Sequence, residues 1–234
     1  MMETEEILSL LQQRIDYQFK DSSLLLSAIT HPSYMNERKI NKWQHYQRLE
    51  YLGDAVLELV MSEYLYFENP DMSEGELSKT RASMVCEPAL AYCANQLSLG
   101  ELILLGKGED ATGGRKRDSI LSDVFEAVIG AIYLDGGFEA AKKHIYKFVM
   151  EGIGERQLFV DSKSILQEEI QKNPGKTIRY ELISEEGPEH DKTFTVALFI
   201  NEELKSKASG HSKKNAEQKA AYELLKKLGK RAAY

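Results

Sequence analysis

Residues 45–60, HYQRLEYLGDAVLELV, decide how the chain is read. At about 100° per residue, Leu49, Leu52, Val56, Leu59 and Val60 fall in one sector roughly 100° wide, the core-facing stripe of an amphipathic helix. Gln47, Glu50 and Asp54 form a second stripe beside it. Like charges one turn apart weaken a free helix, so local stability does not explain the pairing. Gly53 costs about 1 kcal/mol against alanine in mid-helix and marks a place where another backbone approaches closely. Local propensity is given up here, as it is at functional sites.

Residues 122–137, SDVFEAVIGAIYLDGG, repeat the pattern. Asp123, Glu126, Ala127 and Gly130 share one face, and Val124, Phe125, Val128, Ile129, Ile132, Tyr133 and Leu134 cover the rest. An apolar surround implies a buried helix, on which carboxylates must be paired, protonated or metal-bound. Two plainer readings are solvated acidic faces, or partners for arginines such as Arg48 and Arg81. Two such helices, each with its own glycine, favour an oxygen-rich pocket suited to Mg2+, with Mn2+ as substitute.

The composition of this 234-residue chain, 42% hydrophobic, is ample for one large and one small domain. It contains no run of eighteen apolar residues, and its start, MMETEEILSLLQQR, is acidic, unlike a signal peptide. The expectation is a soluble cytoplasmic protein without membrane association. Cys86 and Cys93 have neither the number nor the spacing of a disulfide framework or zinc site, and read as small buried apolar residues. His31, before Pro32, lacks a second histidine or a nucleophilic serine context, so HPSY reads as a structural corner.

A net charge of -7 repels phosphate, but the charge is unevenly placed. Residues 1–160 hold 16 Lys and Arg against 25 Asp and Glu; residues 161–234 hold 14 against 12, and 205–234 hold 9 against 2. A basic end on an acidic body points to a polyanionic partner. Helical periodicity covers stretches near 4–14, 22–30, 45–67, 75–84, 87–97, 119–134 and 138–150, and breaks at EGIGERQLFVDS, 151–162. Beyond the break the order is helix (162–173), three strands (179–187, 193–200, 202–210) and helix (213–228).

With these residues in view, QRLEYLGDAVL resembles the signature of the ribonuclease III family, usually ERLEFLGDAVL, and SDVFEAVIGAIYLDGG resembles that family's second catalytic helix. FKDSSLLLSAITHPSY, EGELSKTRASMV and LLGKGEDATGGRKRDSILSD are similar to further family segments, so the resemblance spans nearly the whole chain in order. It implies that Glu50, Asp54, Asp123 and Glu126 are the metal ligands, with Asp54 and Glu126 central to catalysis, and that Glu74 is an outer acidic position. Gln47 departs from the usual glutamate, keeping shape and an acceptor oxygen but losing the charge.

The C-terminal segment resembles a double-stranded RNA-binding domain through DSKSILQEEIQ, GPEHDKTFTVAL and SGHSKKNAEQKAAYELL. Such domains read shape, phosphates and 2′-hydroxyls. By position, Gln167, Glu168 and His190 would enter minor grooves, and Lys213 and Lys214, opening the last helix, would meet phosphate with the help of its dipole. The Gly-rich basic loop, Gly113 to Arg117, lacks the GKS or GKT ending of a Walker motif and would carry Arg115, Lys116 and Arg117 to the RNA backbone.

The expected architecture is therefore a mainly α, all-helical endonuclease domain (1–152), a linker (153–160) and a small α+β domain of α-β-β-β-α order (161–230). The resemblance implies metal-dependent endonucleolytic hydrolysis of double-stranded RNA by a homodimer of the endonuclease domain. Its products would carry 5′-phosphates, 3′-hydroxyls and short 3′ overhangs, in rRNA and mRNA processing. A non-cleaving RNA binder and a purely structural helical protein are the alternatives.

Overall fold

The computed structural model describes residues 3–38, 44–150, 162–172, 175–188 and 192–229. The chain divides into two compact units, 1–151 and 152–234.

The first unit is helical: α1 (Thr4–Ile15), α2 (Ser22–Ala28), α3 (Pro32–Arg38), α4 (Gln47–Glu68), α5 (Glu74–Met84), α6 (Glu87–Gln96), α7 (Lys107–Ala111), α8 (Asp118–Gly136) and α9 (Phe138–Ile145). Capping explains several starts. Asp21 accepts from the Ser23 N–H before α2, and Ser73 and Glu76 form a reciprocal capping box at α5.

The core forms around α8, which buries Ile120, Leu121, Val124, Phe125, Val128, Ile129 and Ile132. Its main partner is α4, contributing Leu49, Val56, Leu57, Val60 and Met61. Asp135, near the end of α8, accepts from the Tyr17 hydroxyl and from the backbone N–H groups of Lys20 and Asp21, fixing the N-terminal segment.

Three expectations change here. HPSY does not merely turn a corner: Pro32 opens α3, at the first helical position where its missing N–H costs nothing. The stretch 138–150 is helical only to Ile145 and continues as a wider π-type turn, Tyr146–Met150. Leu59 and Leu134, assigned to apolar core faces, are 57% and 53% exposed. On α4, Tyr51, Leu59 and Tyr66 share a sector roughly 80° wide on the solvent side, a second apolar stripe.

The second unit has the order α10 (Ser162–Gln171), β1 (Ile178–Glu186), β2 (Thr193–Ile200), β3 (Glu203–Gly210), α11 (Lys213–Lys227). The sheet is antiparallel with β2 central, Ile178 opposite Ile200 and Phe194 opposite Gly210. The period of two in β1 is interrupted by a bulge between Leu182 and Ser184, which leaves Ile183 exposed. Leu166 and Ile170 of α10, Leu198 and Ile200 of β2, and Ala220, Ala221, Leu224 and Leu225 of α11 form the core. Small alanines let α11 lie close to the sheet, and the Ser206 hydroxyl donates to the Ala220 carbonyl across that contact. The segment expected as a linker, 153–160, lies outside the described residues.

Candidate active site

Glycine sets the distance between the two acidic helices. A Cβ on Gly53 would sit 1.8 Å from the Glu126 carbonyl oxygen, and one on Gly130 would sit 2.2 Å from that of Leu49. The helices therefore meet backbone to backbone at Gly53–Glu126 and at Leu49–Gly130. Glu50 and Asp54, each next in sequence to a contact residue, are brought to the level of Asp123 and Glu126.

The electrostatics record the crowding. Burial, then the charges of Asp54, Glu50, Asp123 and Glu58, push Glu126 up to about 8. Glu50 is pushed up to about 7 by burial and by Asp123 and Asp54. Burial also raises Asp123, opposed by a hydrogen bond from Tyr46 and by His31. Such shifts mark sites that want positive charge.

Among the described residues no ion pair reaches any of the four carboxylates. Arg81, one of the arginines considered as partner, instead pairs with Glu58 at 2.5 Å and donates to the Ser62 hydroxyl at 2.6 Å. Asp54 is exposed, and Glu50, Asp123 and Glu126 are half-buried. As placed, no three acidic, histidine or cysteine side chains among the described residues converge tightly enough to close around an ion. The donor set nevertheless fits a hard divalent cation in kind: oxygen ligands only, close enough to raise one another's protonation, with no lysine or arginine among the described residues paired to them.

Gln47 is exposed at the first position of α4. Glu74 is exposed at the start of α5, its carboxylate accepting from the Ser78 hydroxyl. Neither enters the coupled cluster. The residue that sequence reasoning passed over is Tyr46, buried, whose hydroxyl donates to Asp123 Oδ2 at 3.1 Å. The signal was its spacing: Tyr46, Glu50, Asp54 and Glu58 recur every four residues along one line.

The basic loop is bonded within the helical unit. The Arg115 guanidinium donates to both carboxylate oxygens of Asp110, at 2.7 and 3.2 Å, and to the carbonyls of Gly100 and Ile103, at 3.1 and 2.7 Å. Such internal bonding makes it a clamp on the 100–110 backbone. Arg117 pairs with Glu109 at 2.5 Å but remains exposed, as does Lys116.

In the second unit Gln167 and Glu168 are exposed on α10, and Lys213 and Lys214 are exposed as the first two residues of α11, capped by Ser212. His190 lies outside the described residues.

Family models match this chain twice: Ribonuclease-III-like at residues 21–153 and double-stranded RNA binding motif at 162–228. The protein named Ribonuclease 3 from Caldanaerobacter subterraneus subsp. tengcongensis is 47% identical over 226 residues, covering 95% of this chain and 99% of that protein. The chain belongs to the ribonuclease III family. Ribonuclease 3 of Bacillus cereus strain AH820 is 48% identical over 227 residues, 95% of this chain and 92% of its own length. The solved nuclease domain of ribonuclease III from Campylobacter jejuni, described for structural flexibility in a region involved in dimer formation, superposes with a TM-score of 0.57 at 44% identity. It covers 62% of this chain and 96% of that one. All four carboxylates fall within the ribonuclease III match, and Gln167, Glu168, Lys213 and Lys214 fall within the RNA-binding match. The family implies a requirement for divalent metal.

Proposed function

We propose that this chain is an endoribonuclease that hydrolyses phosphodiester bonds in double-stranded RNA with Mg2+, Mn2+ substituting. Residues 1–152 are the endonuclease domain, 153–160 the linker and 161–230 the RNA-binding domain. The observation that carries the reading is the coupled acidic cluster: four carboxylates held together by a glycine contact, with protonation of Glu126 and Glu50 raised to about 8 and 7 and no ion pair to any of the four among the described residues.

Glu50, Asp54, Asp123 and Glu126 would hold the ions, which when bound supply a water activated at neutral pH and charge stabilisation for the departing 3′-oxygen. Glu126, the most strongly shifted, releases its proton when positive charge arrives and is the ligand most sensitive to replacement. No side chain acts as a covalent nucleophile. Lys213 and Lys214 meet RNA phosphate at the start of α11, where the helix dipole adds to their charge. Gln167 and Glu168 offer hydrogen bonds to a minor groove, where 2′-hydroxyls are displayed.

The exposed stripe of Tyr51, Leu59 and Tyr66 on α4, with Phe67 and Leu134, supports a homodimer of the helical domain, since apolar patches of this kind are interaction surfaces. Products with 5′-phosphates and short 3′ overhangs, and a role in rRNA and mRNA processing in the cytoplasm, complete the proposal. No helix among the described residues is long and apolar enough to cross a membrane.

The deciding experiment is Glu126→Gln against long duplex RNA. Cleavage in Mg2+ should fall by 10²-fold or more while duplex binding in Ca2+ stays unchanged. Cleavage at the wild-type rate would remove Glu126 from the chemistry.

A further inference from the structure

Asp123 has one partner that the acidic cluster does not explain. Tyr46 is only 3% exposed, and its hydroxyl donates to Asp123 Oδ2. At both ends of the residue the placement is fixed. Its backbone N–H donates to the Thr30 carbonyl at 3.0 Å, and its own carbonyl accepts the N–H groups of Leu49, at 2.8 Å, and Glu50, at 2.9 Å, so Tyr46 forms the N-terminal boundary of α4. The same residue thus starts the helix that bears Glu50 and reaches across to the carboxylate on α8.

Its ring is backed in turn. His31 packs against it, ring centroids 5.6 Å apart. The Ser33 N–H donates to His31 Nδ1 at 3.0 Å, which makes Nδ1 an acceptor and places the imidazole proton on Nε2. The Ser33 hydroxyl lies 2.7 Å from the same nitrogen and accepts from the Gly106 N–H at 2.9 Å. A chain of fixed groups therefore runs from the 106 backbone through Ser33 and His31 to the phenol and ends on Asp123.

We infer that Tyr46 is a positioning residue: its hydroxyl holds the Asp123 carboxylate in one orientation, leaving the second oxygen to face the cluster. Outer-shell hydrogen bonds of this type fix ligand geometry, and their loss typically costs about 10–100-fold in metal affinity. The inference rests on the reading of the cluster as a cation site. It assigns Tyr46 no contact with RNA or with an ion.

The test uses the full chain without RNA and reads Mn2+ binding by electron paramagnetic resonance for wild type, Tyr46→Phe, Asp123→Asn and the double variant. Melting temperature and the Mg2+ dependence of single-turnover cleavage are measured alongside. Tyr46→Phe should weaken Mn2+ binding by about tenfold or more. It should raise the Mg2+ needed for half-maximal cleavage by a similar factor, recover rate at saturating Mg2+, and add no further loss to Asp123→Asn. Unchanged Mn2+ affinity in Tyr46→Phe, or an equal loss with and without the Asp123 carboxylate, would overturn the positioning role. Should Tyr46→Phe fail to fold, Ser33→Ala, which frees the His31 ring behind the phenol, is read in its place and must weaken Mn2+ binding in the same direction. If wild type and Asp123→Asn bind Mn2+ equally, the cation site itself fails; if Asp123→Asn loses binding and Tyr46→Phe keeps it, only the role of Tyr46 fails.

Discussion

The centre of the helical unit and the sheet unit are built on opposite terms. At the α4–α8 contact, glycines replace better helix formers and acidic groups crowd with no ion pair among the described residues. In the second unit several acids are answered: Lys163 pairs with Glu217 at 2.6 Å, Arg179 with Glu202 at 3.0 Å and Lys192 with Glu185 at 2.5 Å. Its proposed RNA-binding lysines stand on an ordinary exposed helix start. A site that must gather like charges is made inside the fold at the expense of stability, whereas a site that only presents charge to a large polyanion is laid on a finished surface. Replacing a contact glycine at the first should therefore disturb folding, and replacing the surface lysines at the second should not.

The largest effect is expected from Gly53→Ala. A helix interior normally gains from alanine, but here the added carbon meets backbone that cannot yield without parting α4 from α8. Urea unfolding should show a loss of about 3 kcal/mol, and a variant as stable as wild type would contradict the backbone contact.

Next comes the pH dependence of the metal-free protein. Glu126 and Glu50, raised to about 8 and 7 in the fold, take up protons between pH 8 and 6.5 while unfolded carboxyls remain ionised, so the folded state gains stability on acidification. Below pH 6.5, His144, buried and held down to about 4, stays neutral in the fold while the unfolded chain protonates, which slows the gain without reversing it until the unfolded carboxyls protonate near their ordinary 4.5. Without divalent metal, the melting temperature of the helical unit should therefore keep rising from pH 8 toward pH 5, and Mg2+ at pH 8 should raise it. A steady fall from pH 8 downward would refute the coupling.

Arg115→Ala should cost about 1–3 kcal/mol in denaturant unfolding, because it leaves the Gly100 and Ile103 carbonyls without their donor. If that variant unfolds like wild type and only RNA binding suffers, the clamp is the wrong description. The smallest effect on stability belongs to the joint change Lys213→Ala and Lys214→Ala, within about 0.5 kcal/mol. It should weaken duplex binding and reduce the slope of log K against log salt by roughly 2. An unchanged salt slope would take these lysines off the phosphates.

What was legible in the sequence followed the physics that sequence carries. Long elements announce themselves by period, so α4, α8, α11 and the three strands were readable, as were the acidic stripes and the meaning of Gly53. Pro32–Arg38 and Lys107–Ala111 span at most two turns and leave too few residues for a period to show. Leu59 was misassigned because hydrophobicity names a buried face without saying which surface does the burying. The grip of Arg115 on the Gly100 carbonyl was not legible, because a guanidinium looks the same in sequence whether it reaches outward or grips a carbonyl fifteen residues away. Tyr46 was in plain view within the motif, but only folding brings it to Asp123, 77 positions on.

The ties that secure the N-terminal segment all reach far ahead. Arg14 donates to the carbonyl of Ser98, Lys147 pairs with Asp16, and Tyr17 and Asp21 donate to Asp135, separations of 84, 131, 118 and 114 residues. On a ribosome adding roughly 5–20 residues per second, about 6–25 s pass between the synthesis of α1 and that of its anchor. The first helix made is thus the last one fastened. Until Asp135 and Lys147 emerge, the segment from Asp16 to Asp21 lacks the ties that hold it in the finished fold.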